Sequence, residues 1–376
     1  MMLWEATTGV GKQASHPTRC EPLEYNFSKD VEHADLPGSQ QVYASAGVCY
    51  ACYMAQQLPS GKKPHDARDP ESHASREPFN AGIMPAHADS ITSRDNKWLK
   101  KFRAALRGHG PAQGEPIAAE GPKLVEEGVR AGLETEALLV SETGERHLES
   151  ILRTASDSEA GIPRSRIFRT TDKLFESVAG TETPQGVGAL FRAREWNFDD
   201  VLRGRADSAG AYRSDASLVI VMAGVQDPGN VGTIVRSAEA FGASGVIATR
   251  GTADPWASKA LRASAGSALR LPLLRGIAAP VLLAQLRMAG VRVLAAGTKL
   301  GDGSIPKSAN ADPFMANMRG ACAIFIGNEG GGLPSEVEHA ADDWISIAMN
   351  DEVESLNAGV AASVILFEVA RQRRGA

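Results

Sequence analysis

Asn230 and Arg236, Glu329, and the group Glu354, Ser355 and Asn357 are the side chains whose types and spacing fit polar chemistry. Asn230 and Arg236 lie in DPGNVGTIVRSAEAFG, residues 227–242, where Pro228, Gly229 and Gly232 mark a strand-to-helix turn. That places Asn230 at a helix entrance and Arg236 on the second turn, positions that a helix cap and a surface charge would also explain. Glu329 sits in GNEGGGLP, residues 327–334, behind the apolar run AIFI. Its four glycines let a ligand approach the backbone closely. In ISIAMNDEVESLNAGVAASVILFE, residues 345–368, a polar loop leads to Glu354, Ser355 and Asn357 at the expected start of a helix, where a serine is a common capping residue. Together these stretches describe a site of amides, a hydroxyl, a carboxylate and one guanidinium, with no Cys, His or metal ligand. Gly330 and Gly332 are followed by Ser335 where a dinucleotide loop needs a third glycine, the tract at Gly301 and Gly303 ends in Pro306, and no GxxxxGK[ST] loop occurs. A cofactor other than NAD or ATP is expected.

The elements that must position these groups are legible from the apolar periods. Strands are expected at 218–223, 245–248, 291–296, 322–326 and 344–348, and helices at 229–241, 258–265, 280–289 and 354–373. Strands without polar alternation are buried on both faces, which predicts a mostly parallel sheet covered by helices, with ligands beyond its carboxyl edge. Upstream, strands at 116–119, 136–140, 166–169 and 187–191 alternate with helices at 122–131, 145–154 and 172–178, a small α/β domain. Before it, Thr92 or Ser93 can cap a helix carrying Trp98, Leu99, Phe102 and Leu106 on one face. The other face holds Arg94, Lys97, Lys100, Lys101, Arg103 and Arg107 against Asp95, and is either a solvated face or an RNA-facing patch.

The expected divisions are an extension at 1–86, a domain at 87–192, a linker at 193–216 and a domain at 217–376. The extension lacks apolar period and holds three of the four cysteines, so most of it is expected to be disordered or loosely packed. Cys49 and Cys52 have the spacing of half a zinc site, without a second close pair, so no metal is expected. Met84 is an alternative translation start. Across 376 residues the net charge is −5, which gives no global advertisement of a phosphate-binding surface and leaves that task to local patches. Few cysteines, and no apolar run long enough for a signal peptide or a membrane span, predict a cytoplasmic protein.

NVGTIVRSAEAFG, FIGNEGGGL and ESLNAGVAASVILFE, taken in this order, resemble the three motifs of the SpoU/TrmH family of RNA ribose 2′-O-methyltransferases, in the SPOUT superfamily. ITSRDNKWLKKFRAAL and AAEGPKLVEEGV are similar to the RNA-binding domain that often precedes them. The resemblance implies a trefoil-knotted α/β methyltransferase domain behind a small α/β RNA-binding domain, a homodimer, and S-adenosylmethionine bound at Thr298, Gly327, Leu333, Ile347, Met349 and Leu356. It implies a catalytic set of Asn230, Arg236, Glu329, Ser355 and Asn357, in which Arg236 holds the target phosphate and Glu329 holds Arg236 or its loop. RNA, ribosomal before transfer RNA, is the implied partner, DNA is not a substrate, and Arg94, Lys97, Lys100, Lys101 and Arg103 face the RNA. Ala348, Asp351 and Gly359 stand where the family usually has Pro, Gly and Ser, which predicts weaker cofactor binding. A non-catalytic RNA-binding protein that keeps the knotted fold is the alternative.

Overall fold

The computed structural model describes residues 89–107, 110–112, 114–158, 161–204, 216–297, 316–350, 352–353 and 355–374. The chain divides after Asn80, and the described residues all belong to its second part, Ala81–Ala376. The expectations for the extension, its Cys49–Cys52 pair and the Met84 start lie outside the described residues, as do those for Thr298, Asp351 and Glu354.

Two sheets order the structure. In the first, β1 (Asp89–Ile91), β2 (Ile117–Glu120), β3 (Thr135–Ser141), β4 (Ile167–Thr170) and β5 (Val187–Phe191) lie in the order β1-β4-β3-β5-β2. β1, β4 and β3 are parallel, and β5 runs against β3 and β2. The expected cap at Thr92 or Ser93 is corrected: β1 ends at Ile91, paired with Thr170, and a turn at Arg94 and Asp95 separates those two residues from the helix. Helix α1 (Lys97–Arg107) begins later, where Asn96 Oδ1 accepts the Trp98 N–H at 2.8 Å. Its Leu99, Phe102 and Leu106 are buried against the sheet, while Trp98 is half-buried over Phe168, with ring centroids 5.3 Å apart. Helices α2 (Pro122–Arg130), α3 (Glu145–Ser156) and α4 (Asp172–Glu176) complete this half.

Part of the stretch expected as a linker is a helix, α5 (Phe198–Arg203). Asn197 accepts the Asp200 N–H and Asp200 accepts the Asn197 N–H, both at 2.9 Å, a reciprocal box that starts the helix despite the polar composition. Val201 is fully buried in the core of the second sheet.

That sheet contains β6 (Leu218–Ala223), β7 (Gly245–Thr249), β8 (Leu273–Ile277), β9 (Arg292–Ala296), β10 (Cys322–Gly327) and β11 (Asp343–Ile345), all parallel, in the order β11-β9-β10-β6-β7-β8. Alternate residues of the central strands enter opposite cores, as the period of two requires. Leu218, Ile220 and Met222 pack with α6 (Pro228–Ala240), α7 (Ser258–Ala263), α8 (Ser267–Arg270) and α11 (Ala358–Arg374), whereas Val219 and Val221 pack with α5, α9 (Ala279–Met288) and α10 (Ser335–Ala340). Arg270 joins the two halves: it is ion-paired with Glu127 of α2, and its Nη2 lies 2.7 Å from Glu239 of α6.

The last turn of α11 closes the chain onto the sheet. Arg373 donates to the carbonyls of Ala216 at 2.7 Å, Ser217 at 3.2 Å, Met318 at 3.0 Å and Gly320 at 2.8 Å. A hydrogen bond from a charged group contributes ~1.5–3 kcal/mol, and such bonds do not add in full when they share a donor. Arg373→Ala is therefore expected to lower the unfolding free energy by about 3 kcal/mol in urea titration. A change within about 0.5 kcal/mol, the size expected of an ordinary surface substitution, would show that the four bonds are replaced by water.

Candidate active site

The carboxyl ends of β9, β10 and β11 open onto a cleft of about 230 Å³. β10 passes into a tight loop in which Asn328 N–H donates to Gly332 O at 2.8 Å and Gly332 N–H returns to Asn328 O at 3.1 Å. Asn328 Oδ1 accepts the N–H groups of Gly330 and Gly331, and its Nδ2 donates to Gly224 O at the end of β6. A Cβ on Gly327 would lie 2.6 Å from Gly332 C and O, so the cleft wall is built for a bare backbone. Gly332 adopts φ +68°, which glycine takes without strain.

This loop presents Glu329 to α6. Asn230 Nδ2 donates to Glu329 Oε1 at 2.7 Å, and Asn357 Nδ2 donates to Asn230 Oδ1 at 2.8 Å. Asn357 Oδ1 accepts the N–H groups of Gly359 and Val360, which makes it the cap of α11. A carboxylate, two amides and a helix start thus form one chain across three motifs far apart in sequence. The cap of α6 is Asp227, not Asn230: its Oδ1 accepts Gly229 N–H at 2.6 Å and lies 3.0 Å from Lys259 Nζ.

Burial alone would push the Glu329 carboxyl up, but the Asn230 amide and the backbone N–H groups around it outweigh that and hold it below the usual carboxylate range. With the folded-state value depressed, this contribution to stability is fully present above the unfolded value, about pH 4.3, and is lost as pH falls through the folded value. The stability difference between the wild type and Glu329→Gln should stay constant from about pH 7 to pH 5 and shrink below about pH 4. A difference that grows on acidification would contradict this environment.

Arg236 is exposed and has no hydrogen-bond or ion-pair partner among the described residues. Of the two expectations for Glu329, holding Arg236 or the loop, the first is corrected: Glu329 holds Asn230 and accepts the Gln226 N–H at 3.4 Å. Ser355 lines the cleft but is not in a helix, because α11 begins at Ala358 and its cap is Asn357.

Of the residues expected at a cofactor, Gly327, Ile347, Met349 and Leu356 line the cleft. Leu333 does not; it is buried with Phe325, Val337 and Trp344 in the core on the α9 and α10 side of the sheet. Ala296, Gly297, Asn328 and Ser346 line it and escaped the sequence reading. The first two are small residues at a strand end, and only Asn328, inside the glycine tract, carried a signal. Isoleucine and leucine walls beside glycine backbone fit a group with a flat apolar portion and polar edges. Among the described residues no cluster of three His, Cys, Asp or Glu could hold a metal ion.

The departures from the family pattern fall outside the cleft wall where they can be seen. Ala348 is exposed and does not line it. Gly359 has a packing reason, since a Cβ there would lie 3.0 Å from Thr233 Cγ2, where α11 crosses α6.

The basic side chains of α1, and Arg94 in the turn before it, belong to the half built on the first sheet. Arg94, Lys97, Lys100 and Lys101 are exposed, Lys100 is 2.9 Å from Asp95, and Lys97 Nζ stands 5.1 Å from the Trp98 ring. Arg103 is half-buried, with its Nε shut from solvent and unpartnered among the described residues.

Comparison with known proteins places these observations. Residues 217–367 match the SpoU rRNA Methylase family, and residues 112–189 match the MRM3-like substrate binding domain. The chain is 33% identical over 281 residues to an uncharacterized tRNA/rRNA methyltransferase of Mycobacterium ulcerans, covering 72% of this chain and 83% of the relative. It is 31% identical over 284 residues to the 23S rRNA (guanosine(2553)-2′-O)-methyltransferase RlmP of Bacillus subtilis, covering 74% and 98%. Among solved structures, the AdoMet-bound rRNA methyltransferase from Sinorhizobium meliloti superposes with a TM-score of 0.60 at 26% identity, covering 75% of this chain and 97% of the other.

Proposed function

Because this chain belongs to the SpoU rRNA methylase family, we propose that it transfers a methyl group from S-adenosylmethionine to a ribose 2′-hydroxyl of ribosomal RNA. Family membership makes it an S-adenosylmethionine-dependent RNA methyltransferase. The observation that carries the ribose reading is the Glu329–Asn230–Asn357 chain at the glycine-walled cleft, with an exposed Arg236 on the same helix as Asn230 that has no ion-pair partner among the described residues.

The cleft fits the cofactor: Gly327 and Gly297 offer backbone, and Ile347, Met349 and Leu356 offer apolar contact. Bound S-adenosylmethionine supplies a methyl group already activated on a sulfonium, so neither a metal nor an electron sink is required. What remains for the protein is placement, and holding two reactants in line can remove ~7–11 kcal/mol of barrier. Arg236 binds the phosphate next to the target ribose and stabilises negative charge as the 2′-oxygen passes its proton to solvent. Glu329 orients rather than accepts a proton: both of its oxygens accept N–H groups, and a carboxyl held below its usual range is a poor base. Asn230 and Asn357 fix the loops, and Ser355 faces the cleft where a ribose would lie. DNA lacks the acceptor hydroxyl.

The knot and the homodimer belong to the same reading. β9–β11 lie on one side of β6 with β7 and β8 on the other, and the closing helix returns across α6, an arrangement in keeping with a trefoil. Val360, Val364 and Phe367 form an exposed apolar stripe along α11, and Phe367 is 56% exposed while meeting Phe241 edge-on. Contiguous exposed apolar residues mark a surface that a partner covers. Phe367→Asp is expected to shift the mass measured by light scattering from two chains to one; two chains in the variant would place the interface elsewhere. Among the described residues no helix is long and apolar enough to cross a membrane, and a cytoplasmic setting belongs to the same reading. Incubation with labelled S-adenosylmethionine tests the reaction: label should enter protein-free ribosomal RNA and not DNA of the same sequence, and equal labelling of the two would overturn it.

A further inference from the structure

Two larger concavities lie away from the cleft and join each other. One, of about 830 Å³, runs between the two sheets, lined by residues 192–196 beyond β5 and by the ends of β7 and β8. The other, of about 660 Å³, shares Gly251, Thr252 and Asp254 with it and extends to Gln226, Pro228, Lys259 and Arg262. They form one groove that starts at Gln226, whose N–H donates to Glu329, and ends at Trp196. The chain leaving α1 passes against its floor: Gly110 has φ +118°, and a Cβ there would lie 2.2 Å from Asp254 Cγ.

The charge of the groove is opposite to that of the whole chain. Arg192, Arg194, Arg250, Lys259, Arg262 and Arg275 line it against Glu115, Glu195 and Asp254; Arg275 is ion-paired with Asp254, Lys259 with Asp227 and Arg192 with Glu134. Arg250 is exposed and, among the described residues, commits only its Nε, to Gly276 O at 3.2 Å. Two guanidinium groups lie over indoles, Arg194 at 5.2 Å from the Trp196 ring and Arg275 at 4.5 Å from that of Trp256. The second pair is structural, because Trp256 is 8% exposed and its Nε1 donates to Ala268 O. Trp196 is half-exposed and has no such tie among the described residues.

We propose that this groove, and not the basic face of α1 alone, holds the single-stranded RNA flanking the methylated nucleotide, with Arg250 and Arg262 on phosphates and Trp196 stacked on an unpaired base. Cations spaced along a track with an aromatic face at its end are what an unpaired strand recognises. The assignment rests on the RNA-methylation reading and tells it which surface delivers the substrate.

The test uses the full chain and a fluorescein-labelled oligouridylate of about twelve nucleotides, within the site sizes of single-strand binders. Affinity is read by anisotropy across a salt series. R250E/R262E should bind at least tenfold more weakly, with a salt slope shallower by about 1.4, the value for two lost phosphate contacts on a single strand. Trp196→Ala should lose roughly tenfold with its slope unchanged, and K97E/K101E should lose less than R250E/R262E. Calorimetric binding of S-adenosylmethionine by each variant confirms that it folds. Wild-type affinity and slope in R250E/R262E, with the loss confined to K97E/K101E, would overturn the groove. Methyl transfer to ribosomal RNA separates the two claims. Equal KM for RNA in the wild type and R250E/R262E sinks the groove and leaves methylation standing, whereas wild-type binding without any transfer sinks methylation and leaves the groove.

Discussion

Arg236→Ala is expected to reduce methyl transfer by at least about a hundredfold, the usual loss when one preorganised charge is removed from a developing anion. Arg236 is exposed, and no protein partner among the described residues depends on it. Its removal should therefore leave the unfolding midpoint and the calorimetric affinity for S-adenosylmethionine unchanged, and Arg236→Lys should restore only part of the rate because an ammonium cannot hold a phosphate with two parallel bonds. Retained turnover in Arg236→Ala would remove the residue from the reaction. The alternative of a structural role would show as a fall in stability, which the exposure of the side chain gives no reason to expect.

Gly327→Ala should act on the other substrate. The added methyl meets Gly332 C and O at 2.6 Å and Leu333 N at 2.9 Å, all backbone, so no side chain can turn aside to admit it. The loop must shift, and with it the paired hydrogen bonds between Asn328 and Gly332 that shape the cleft wall. Overpacking of this kind costs about 1–3 kcal/mol, and expressed in cofactor binding it corresponds to a loss of roughly 5- to 150-fold. Calorimetry of wild type and variant with S-adenosylmethionine checks this. Unchanged affinity would mean that this backbone wall does not meet the cofactor.

These residues differ in how far they could be read from the chain. The unbroken apolar runs at 218–223 and 322–326 announced buried parallel strands, because only a strand covered on both faces has no polar alternation. Asn230, Glu329 and Asn357 were recognisable as polar groups beside glycines and helix starts. Their mutual bonding was not, since Asn230 lies 99 residues from Glu329 and 127 from Asn357 and only the fold joins them. Asp227 and Asn357 capture the helix starts, which frees Asn230 for Glu329 and leaves Ser355 outside α11. Leu333 shows the limit of motif transfer, because its neighbours in the loop face the cleft while its own side chain turns into the opposite core. β8 and α5 were missed for opposite reasons: Leu273–Ile277 carries Arg275 and Gly276 within a strand at the sheet edge, and residues 198–203 are too polar for a period to show. The groove leading to Trp196 was invisible because its cations come from segments that pack together only in the folded chain.

The most direct measurement is nucleoside analysis of protein-free ribosomal RNA after incubation with the purified chain and labelled S-adenosylmethionine. The label should be recovered in a 2′-O-methylated nucleoside, as an alkali-resistant linkage, and should be absent with Arg236→Ala. Label on a base, on protein, or equally abundant with the variant would contradict ribose methylation at this site.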